Sequence, residues 1–226
     1  MAPKVPEKGI LLVWLKPAAP SGEFDAWRLA GGFARNIPGV IGYTVQTAID
    51  SIDPVKPHRY SITYQVDNLN VITPAVYETA LAGKPECVQS SEWHLYRQIY
   101  YQVKPGMSPF MPPGSEVAQV GQDPEKDEVV IKDNLAWFAE EHVPMLMKVP
   151  GWTIGLRGSF ISKVGGGESE FAAAFIAIHR YQPENGLEKS PEWSAASGTA
   201  WSQKVRSHMA KPYHRRVWRI DKDTGI

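Results

Sequence analysis

The sequence predicts an α+β protein that contains one βαββαβ unit twice, and the first reason is internal similarity. NIPGVIGYTVQ at 36–46 resembles KVPGWTIGLRG at 148–158, and each opens a strand after a helical pattern. YRQIYYQV at 96–103 resembles YHRRVWRI at 213–220, and each closes its half of the chain. The shared order of these segments indicates a duplicated unit.

The second reason is a segment rich in proline and glycine, KPGMSPFMPPGSE at 104–116, that separates the two halves. Such a composition is typical of a linker and not of a helix or a strand. We therefore expect a first repeat at 1–104, a linker at 105–115 and a second repeat at 116–226.

The third reason is the order of elements in the first repeat, which is the ferredoxin-like pattern. Tyr60, Ile62, Tyr64 and Val66 alternate with polar residues, which is the period of a strand. TPAVYETALAG at 73–83 starts with a cap residue and a proline and ends in glycine, as helices do. The predicted elements are strands at 9–16, 40–49, 58–67 and 96–103 and helices at 22–37 and 73–83.

The second repeat shows the same order. Asp123 and Pro124 are typical of an N-cap and a first helical residue, so we expect a helix from there to about Lys148. Pro144, in its final turns, removes a backbone hydrogen bond and is expected to kink the axis. KVGGGESE at 163–170 is predicted to be a hairpin loop. The other predicted elements are strands at 115–122, 152–162, 171–181 and 213–220 and a broken helix at 191–209.

The two sheets are expected to cover each other. A sheet with both helices on one face leaves its other face bare, and that face must be buried. FAAAFIAIHRY at 171–181 is apolar on both faces, as expected of a strand covered on both sides. We therefore predict two ferredoxin-like repeats whose sheets pack face to face within one chain, as an internal dimer.

The composition argues against several classes of protein. Lys and Arg number 24 and Asp and Glu 24, so the basic excess typical of nucleic-acid-binding proteins is absent. Cys87 is the only cysteine, which leaves no disulfide framework and no cysteine-based metal site. No secretory signal pattern and no apolar stretch of roughly 20 residues occurs. We expect a cytoplasmic monomer or homodimer without nucleic-acid or membrane partners.

His142 is the candidate catalytic residue of the second repeat. Ile131, Leu135, Phe138, His142 and Met145 fall on one helical stripe, which predicts that the histidine faces inward. One interpretation is a core histidine whose two ring nitrogens have hydrogen-bond partners. The other is a general acid–base, because small changes of environment move the pKa of an imidazole across neutrality.

Two further residues are candidates because they lie on the strand that follows. His179 and Tyr181 share a strand face with Phe175. If this face turns toward the helices, both residues approach the wall that carries His142, and if it turns toward the other sheet, they do not. Arg157, on the neighbouring strand, is interpreted as a surface residue, and the alternative is that it neutralises a carboxylate or enolate.

The segment WFAEEHVPMLMKVPGW at 137–152 resembles the signature of the EthD-like branch of the dimeric α+β barrel superfamily. In that signature an aromatic residue, an acidic pair, histidine, proline and a downstream Pro-Gly recur in this order. The first repeat keeps Trp27, Pro38 and Gly39 but has alanine and glycine in place of glutamate and histidine. The resemblance therefore implies one active pocket, in the second repeat.

The resemblance also implies a class of function. Members of this branch include stress-related proteins and cofactor-free enzymes that cyclise, dehydrate or decarboxylate polyketide intermediates, often in fungal biosynthetic clusters. Other barrels of the superfamily bind haem or act on flat aromatic substrates with oxygen. We expect a lyase or cyclase of secondary metabolism that needs no cofactor. The alternative is a non-catalytic small-molecule-binding or stress-response protein.

The expected site combines proton transfer with an apolar wall. His142 would move the proton, and His179 or Tyr181 would assist it. The residues expected to bind an aromatic or polyketide-type substrate are Trp137, Phe138, Trp152, Arg157 and Phe175. No metal is expected, because the six histidines are scattered and no metal-binding spacing occurs.

Overall fold

The computed structural model describes residues 7–52, 56–164 and 172–225, and within them eight strands form one closed antiparallel barrel. The strands are β1 (Gly9–Pro17), β2 (Val40–Ala48), β3 (Tyr60–Val66), β4 (Val88–Val103), β5 (Glu116–Gln122), β6 (Trp152–Val164), β7 (Phe175–Tyr181) and β8 (His214–Asp223). The hairpin loop predicted at 163–170 lies mostly outside the described residues, as does Phe171.

Each repeat contributes one four-stranded sheet, and the two sheets have the same strand order. That order is β4-β1-β3-β2 in the first repeat and β8-β5-β7-β6 in the second. The sheets join at two seams, β2 with β8 and β4 with β6. This topology confirms the prediction of two ferredoxin-like repeats that form an intramolecular dimeric α+β barrel.

Strand β4 is longer than the sequence pattern indicated, because it belongs to both sheets. It begins at Val88, although we expected the strand at 96–103. Its first part pairs with β1, and its second part continues along β6 as far as Val103 opposite Ile154. The polar residues at 89–92 do not show the alternation of a half-buried strand, which explains why the sequence did not reveal this part.

Helices cover the outside of each sheet. They are α1 (Gly22–Leu29), α2 (Pro74–Ala82), α3 (Glu128–Trp137), α4 (Val143–Leu146), α5 (Pro191–Ser197) and α6 (Ala200–Ser207). Helix α1 ends well before residue 37 because Gly31 and Gly32 adopt positive φ angles of 99° and 55°. Within the described residues, no helix is long and apolar enough to cross a membrane.

The long helix predicted after Asp123 starts later and is interrupted. Asp127 is its N-cap, and its carboxylate accepts hydrogen bonds from the backbone N–H groups of Val129 and Val130. Asp123 instead accepts a hydrogen bond from the backbone of Ala174. The predicted inward stripe is also shifted, since the buried residues of α3 are Asn134 and Trp137.

Side chains fill the interior of the barrel, so a ligand-sized cavity has to lie outside it. The buried cluster inside it draws on both repeats: Ile10, Leu12, Trp14, Tyr96, Ile154, Leu156, Ile176, Ile178, Trp218 and Ile220. Two more apolar clusters lie outside the barrel, each between one sheet and its own helices. In β7, Ile176 and Ile178 face the interior, so that Phe175, His179 and Tyr181 face the helices.

Candidate active site

A cavity of about 220 Å³ lies between the second sheet and the helices that cover it. Its apolar wall consists of Ala118, Val120, Trp137, Leu146, Ala177, Tyr181, Leu187 and Trp193. The polar residues that line it are Gln122, His142, His179, Glu188, Ser197, Ser202, Arg206, Tyr213 and Arg215. This mixture of a large apolar wall and a few polar groups is typical of sites for small organic ligands.

His142 lines this cavity at the end of a single π-helical turn, Phe138–His142. The backbone N–H of Val143 bonds to the carbonyl of Phe138, five residues back, and Pro144 follows at the start of α4. Such turns occur often at functional sites because they widen the helix locally. The imidazole stacks on the indole of Trp137, with ring centroids 4.4 Å apart. Its Nδ1 atom is buried and has no hydrogen-bond partner among the described residues, while the ring donates a hydrogen bond to the backbone carbonyl of Ala196.

His179 lies beside His142, so the structure brings the two predicted histidines together. Their ring centroids are 5.4 Å apart, and the rings meet edge to face. The indole N–H of Trp152 donates to Nδ1 of His179 at 3.5 Å. Because the indole can only donate, a neutral His179 carries its proton on Nε2. That Nε2–H is buried and has no acceptor among the described residues.

Both imidazoles are neutral at physiological pH. Burial, reinforced by the nearby positive charge of Arg157, lowers the pKa of His142 to about 4. Burial lowers the pKa of His179 well below its usual value, and His142, Arg157 and Arg215 lower it further. A neutral imidazole has one lone pair that can accept a proton. The lone pair of His179 already accepts from Trp152, so His142 is the candidate base.

Arg157 is buried, which corrects the expectation of a surface residue. It is 1% exposed and lies over the aromatic rings of Phe138 and Phe175, at 4.5 and 5.0 Å from the ring centroids. Its guanidinium donates to the side-chain oxygens of Gln122, at 2.7 Å, and of Asn134. Burial lowers its pKa to about 9, so that it still carries a positive charge at neutral pH. None of these partners is a carboxylate.

The remaining predicted site residues divide into two groups. Trp137 and Tyr181 line the cavity, and burial raises the pKa of the Tyr181 hydroxyl, which stays protonated. The other predicted substrate-binding residues lie behind the wall and do not line the cavity: Phe138, Trp152, Arg157 and Phe175. Of these, Phe138 contacts both imidazoles, with ring centroids 5.9 Å from His142 and 5.6 Å from His179, and Trp152 hydrogen bonds to His179.

Several residues that line the cavity were not predicted from the sequence. Arg215 comes from β8 and bonds to Glu188 at 2.5 Å, although the two residues are distant in the chain. Glu188 has a φ of 60°, a left-handed conformation that is rare for a residue other than glycine. Tyr213 hydrogen bonds with Gln122 and Arg206 across the cavity. Only the folded chain brings these groups together.

Helices α5 and α6 cover the cavity and are fastened to the π-helical turn. The hydroxyl of Thr199 donates to the carboxylate of Glu141 at 2.5 Å and also caps α6 by accepting from Ser202 N–H. The indole of Trp137 donates to the Ser202 hydroxyl at 3.1 Å. Glu141, one of the acidic pair in 137–152, therefore helps to hold helix α6 over the cavity.

The first repeat fills the equivalent place with one tyrosine. Tyr64 occupies in β3 the position that His179 occupies in β7, two residues before the end of the strand. Its hydroxyl donates to the carbonyl of Gly31 at 2.9 Å and accepts from the N–H of Phe33 at 3.0 Å. A side chain at Gly32 would meet this hydroxyl at 3.0 Å. The tyrosine therefore closes this part of the first repeat.

No cluster of three or more His, Cys, Asp or Glu side chains suited to a metal ion occurs within 7–52, 56–164 and 172–225. The two histidines have buried aromatic rings on one side of them and the cavity on the other.

No protein-family model and no curated protein matches the sequence. Solved structures do match over nearly the whole chain. An anthrone oxidase-like protein is 14% identical, with a TM-score of 0.62, and the match covers 97% of this chain and 93% of that protein. A proposed monooxygenase from Lactobacillus acidophilus is 12% identical, with a TM-score of 0.57 and coverage of 97% and 96%.

A second proposed monooxygenase, from Fusobacterium nucleatum, is 7% identical. Its TM-score is 0.56, and the match covers 98% of this chain and 96% of that protein. At such identities the three matches establish a common fold, the dimeric α+β barrel, and leave the activity to be argued from the site.

Proposed function

We propose that the chain is a small-molecule enzyme that moves a proton on a flat aromatic or polyketide-type substrate without a cofactor. The observation that carries this proposal is the pair of neutral histidines, 5.4 Å apart, on the wall of a largely apolar cavity. The reaction is a cyclisation, dehydration or decarboxylation, and the protein belongs to cytoplasmic secondary metabolism. The resemblance of 137–152 to the EthD-like signature supports this choice.

In the proposed mechanism, His142 is the general base. The backbone carbonyl of Ala196 accepts a hydrogen bond from its ring, and Nδ1 has no partner among the described residues, so Nδ1 is the nitrogen whose lone pair takes the proton. It takes a proton from an acidic carbon or a phenol and later returns it to the product or the leaving group. Since burial favours the neutral ring, His142 is in the correct protonation state before the substrate binds.

His179 and Tyr181 stabilise the anion that this proton transfer creates. The Nε2–H of His179 has no acceptor in the described residues, so an enolate or phenolate oxygen can accept from it. Tyr181 lines the same cavity and keeps its proton, which makes it a second donor. Donors that are positioned before the charge develops lower the barrier in a site from which water is excluded.

The test is His142→Gln, measured for both activity and stability. The change keeps hydrogen-bonding capacity but removes the titratable group, so we expect turnover to fall about 10²–10⁴-fold while the melting temperature at pH 7 changes little. Candidate aromatic keto acids are supplied, and products are followed by mass spectrometry. A destabilised variant with unchanged single-turnover rate would mean that His142 is only a core residue, and the proposed mechanism would be wrong.

The fold of the anthrone oxidase-like protein favours a second candidate, an oxidation that uses dioxygen. The same proton removal by His142 would leave a carbanion. It would form a C–O bond with dioxygen, and the resulting peroxide, protonated by His142, would lose water to leave a carbonyl group. An oxygen electrode separates the two candidates, because the lyase or cyclase reaction proceeds under anaerobic conditions and consumes no oxygen. If the protein binds aromatic ligands but converts none, the non-catalytic binding or stress-response function is the correct one.

A further inference from the structure

The charged groups around the cavity are predominantly positive. Arg206 and Arg215 line it, and Arg157 lies behind Gln122, which also lines it. Within the described part of the chain, Glu188 is the one carboxylate that lines the cavity. Two guanidinium groups at the cavity and a third behind its wall thus accompany one carboxylate, and the two histidines beside them are neutral.

Arg157 carries the strongest argument, because a buried charge normally has a partner of opposite charge. Its described contacts are two neutral amides and two aromatic faces, and its Nε atom has no hydrogen-bond partner. A buried cation without a counterion costs several kcal/mol unless something compensates it. An anion in the adjacent cavity would provide that compensation.

Arg215 supplies the direct contact. One of its terminal nitrogens binds Glu188, and the other, Nη2, is buried and has no acceptor in the described structure. The left-handed backbone of Glu188 holds its carboxylate at the cavity, and backbone conformations of this kind are concentrated at functional sites. Arg215 is therefore oriented by one partner while a planar donor group remains available.

We infer that the cavity binds an aromatic carboxylate, with Arg215 as the group that contacts the anion and Arg157 as a buried charge that favours it. The inference names the substrate class of the proposed enzyme and assumes that its substrate occupies this cavity. A cavity of about 220 Å³ and its apolar wall suit a ligand of one or two rings that carries the carboxylate at its polar end.

The inference is tested by calorimetric titration with two probes of the same shape, 2-naphthoate and the neutral 2-naphthamide. We expect the wild-type protein to bind the acid at least about tenfold more tightly than the amide, because a hydrogen bond to a charged group is the stronger one. Equal affinities, or binding of neither probe, would overturn the inference.

Two variants then break the same ion pair with opposite changes of charge. Arg215→Gln is expected to lower the affinity for the acid about tenfold, while Glu188→Gln is expected to raise it several-fold, and neither should change the affinity for the amide. A purely structural effect of losing the pair would move both variants in the same direction, and that result would contradict the inference.

The matched control is another Arg–Glu pair, Arg97 with Glu7, which is 3.0 Å apart, partly exposed and belongs to the first repeat. Arg97→Gln and Glu7→Gln should leave both affinities unchanged. Since no step depends on turnover, preference for the acid in a protein that converts no substrate supports the anion site and rejects the proposed catalysis. Turnover of neutral substrates without that preference supports the catalysis and rejects the anion site.

Discussion

His142 is neutral at pH 7 because burial and Arg157 disfavour its protonated form, and this affects stability as well as chemistry. Its pKa of about 4 in the folded protein lies below the usual 6.5 of an unfolded chain. Between these values the unfolded state binds more protons, so stability is complete above about pH 6.5 and falls as the pH drops toward 4. His179 acts in the same direction.

The prediction at this scale compares the wild-type protein with His142→Gln by urea unfolding at pH 7.5 and pH 4.5. Removing the imidazole should reduce the loss of stability between these pH values by roughly 2 kcal/mol. His208→Gln serves as the control, because His208 is partly exposed and pairs with Glu125 at the surface. An unchanged pH dependence in His142→Gln would show that its pKa in the folded protein is not lowered.

At the scale of residues, the sequence predicted the site only where its residues are close in the chain. His142 stands inside a contiguous pattern, and the alternation of one strand put His179 and Tyr181 on a common face without deciding which way that face turns. Arg157 was misjudged because two amides and two rings, all remote in sequence, hold it in the interior. The contribution of Glu188 and Arg215 depends on a loop and a strand that meet only after folding.

At the scale of elements, helix α6 depends on Thr199, which caps it and fastens it to Glu141. Thr199→Ala removes both hydrogen bonds, so we expect a loss of about 1 kcal/mol of stability and faster amide exchange in α6. Thr199→Ser keeps a hydroxyl in the same place and should retain most of the stability. Exchange measured by mass spectrometry over 200–207 provides the readout, and equal protection in both variants would refute this role.

The predicted order of elements is correct, while several boundaries and one break are not. Caps and prolines recur along the chain, and the prediction of Asp123 as the helix start was wrong, because the N-cap is Asp127. The predicted kink at Pro144 takes the form of a π-helical turn just before it. That turn depends on which carbonyl Val143 bonds to, and residue patterns do not encode this choice.

At the scale of the whole molecule, Asp223 connects both repeats and the linker. Its carboxylate accepts from the hydroxyl of Thr44 at 2.7 Å and from the backbone of Met111 at 2.9 Å. It also pairs with Arg180 at 3.4 Å, and the side chains of both partners are almost fully buried. The charged pair lies within the second repeat, and both of its members bond to the hydroxyl of Thr44 on β2, so side-chain hydrogen bonds as well as backbone ones join the seam between β2 and β8.

Asp223→Ala should destabilise the protein by about 3–5 kcal/mol, because it leaves a buried arginine without its counterion. Glu7→Ala removes a partly exposed partner of Arg97 and should cost less than about 1 kcal/mol. Urea unfolding followed by tryptophan fluorescence measures both. We also expect a single transition in the wild-type protein, since the two sheets share one barrel interior, and two separate transitions would contradict this.

Tyr64, which replaces the cavity histidine in the first repeat, shows that the two repeats of one chain can differ at equivalent positions. In a symmetric homodimer both subunits carry every substitution. One subunit therefore cannot have a filled position where the other has an open cavity. Fusion of the two units into one chain removes that constraint. Tyr64 fills this position in one unit, while His179, at the equivalent position, lines a cavity in the other. We therefore expect the chain to bind one ligand per molecule, in the second repeat, while the first repeat contributes the other half of the barrel.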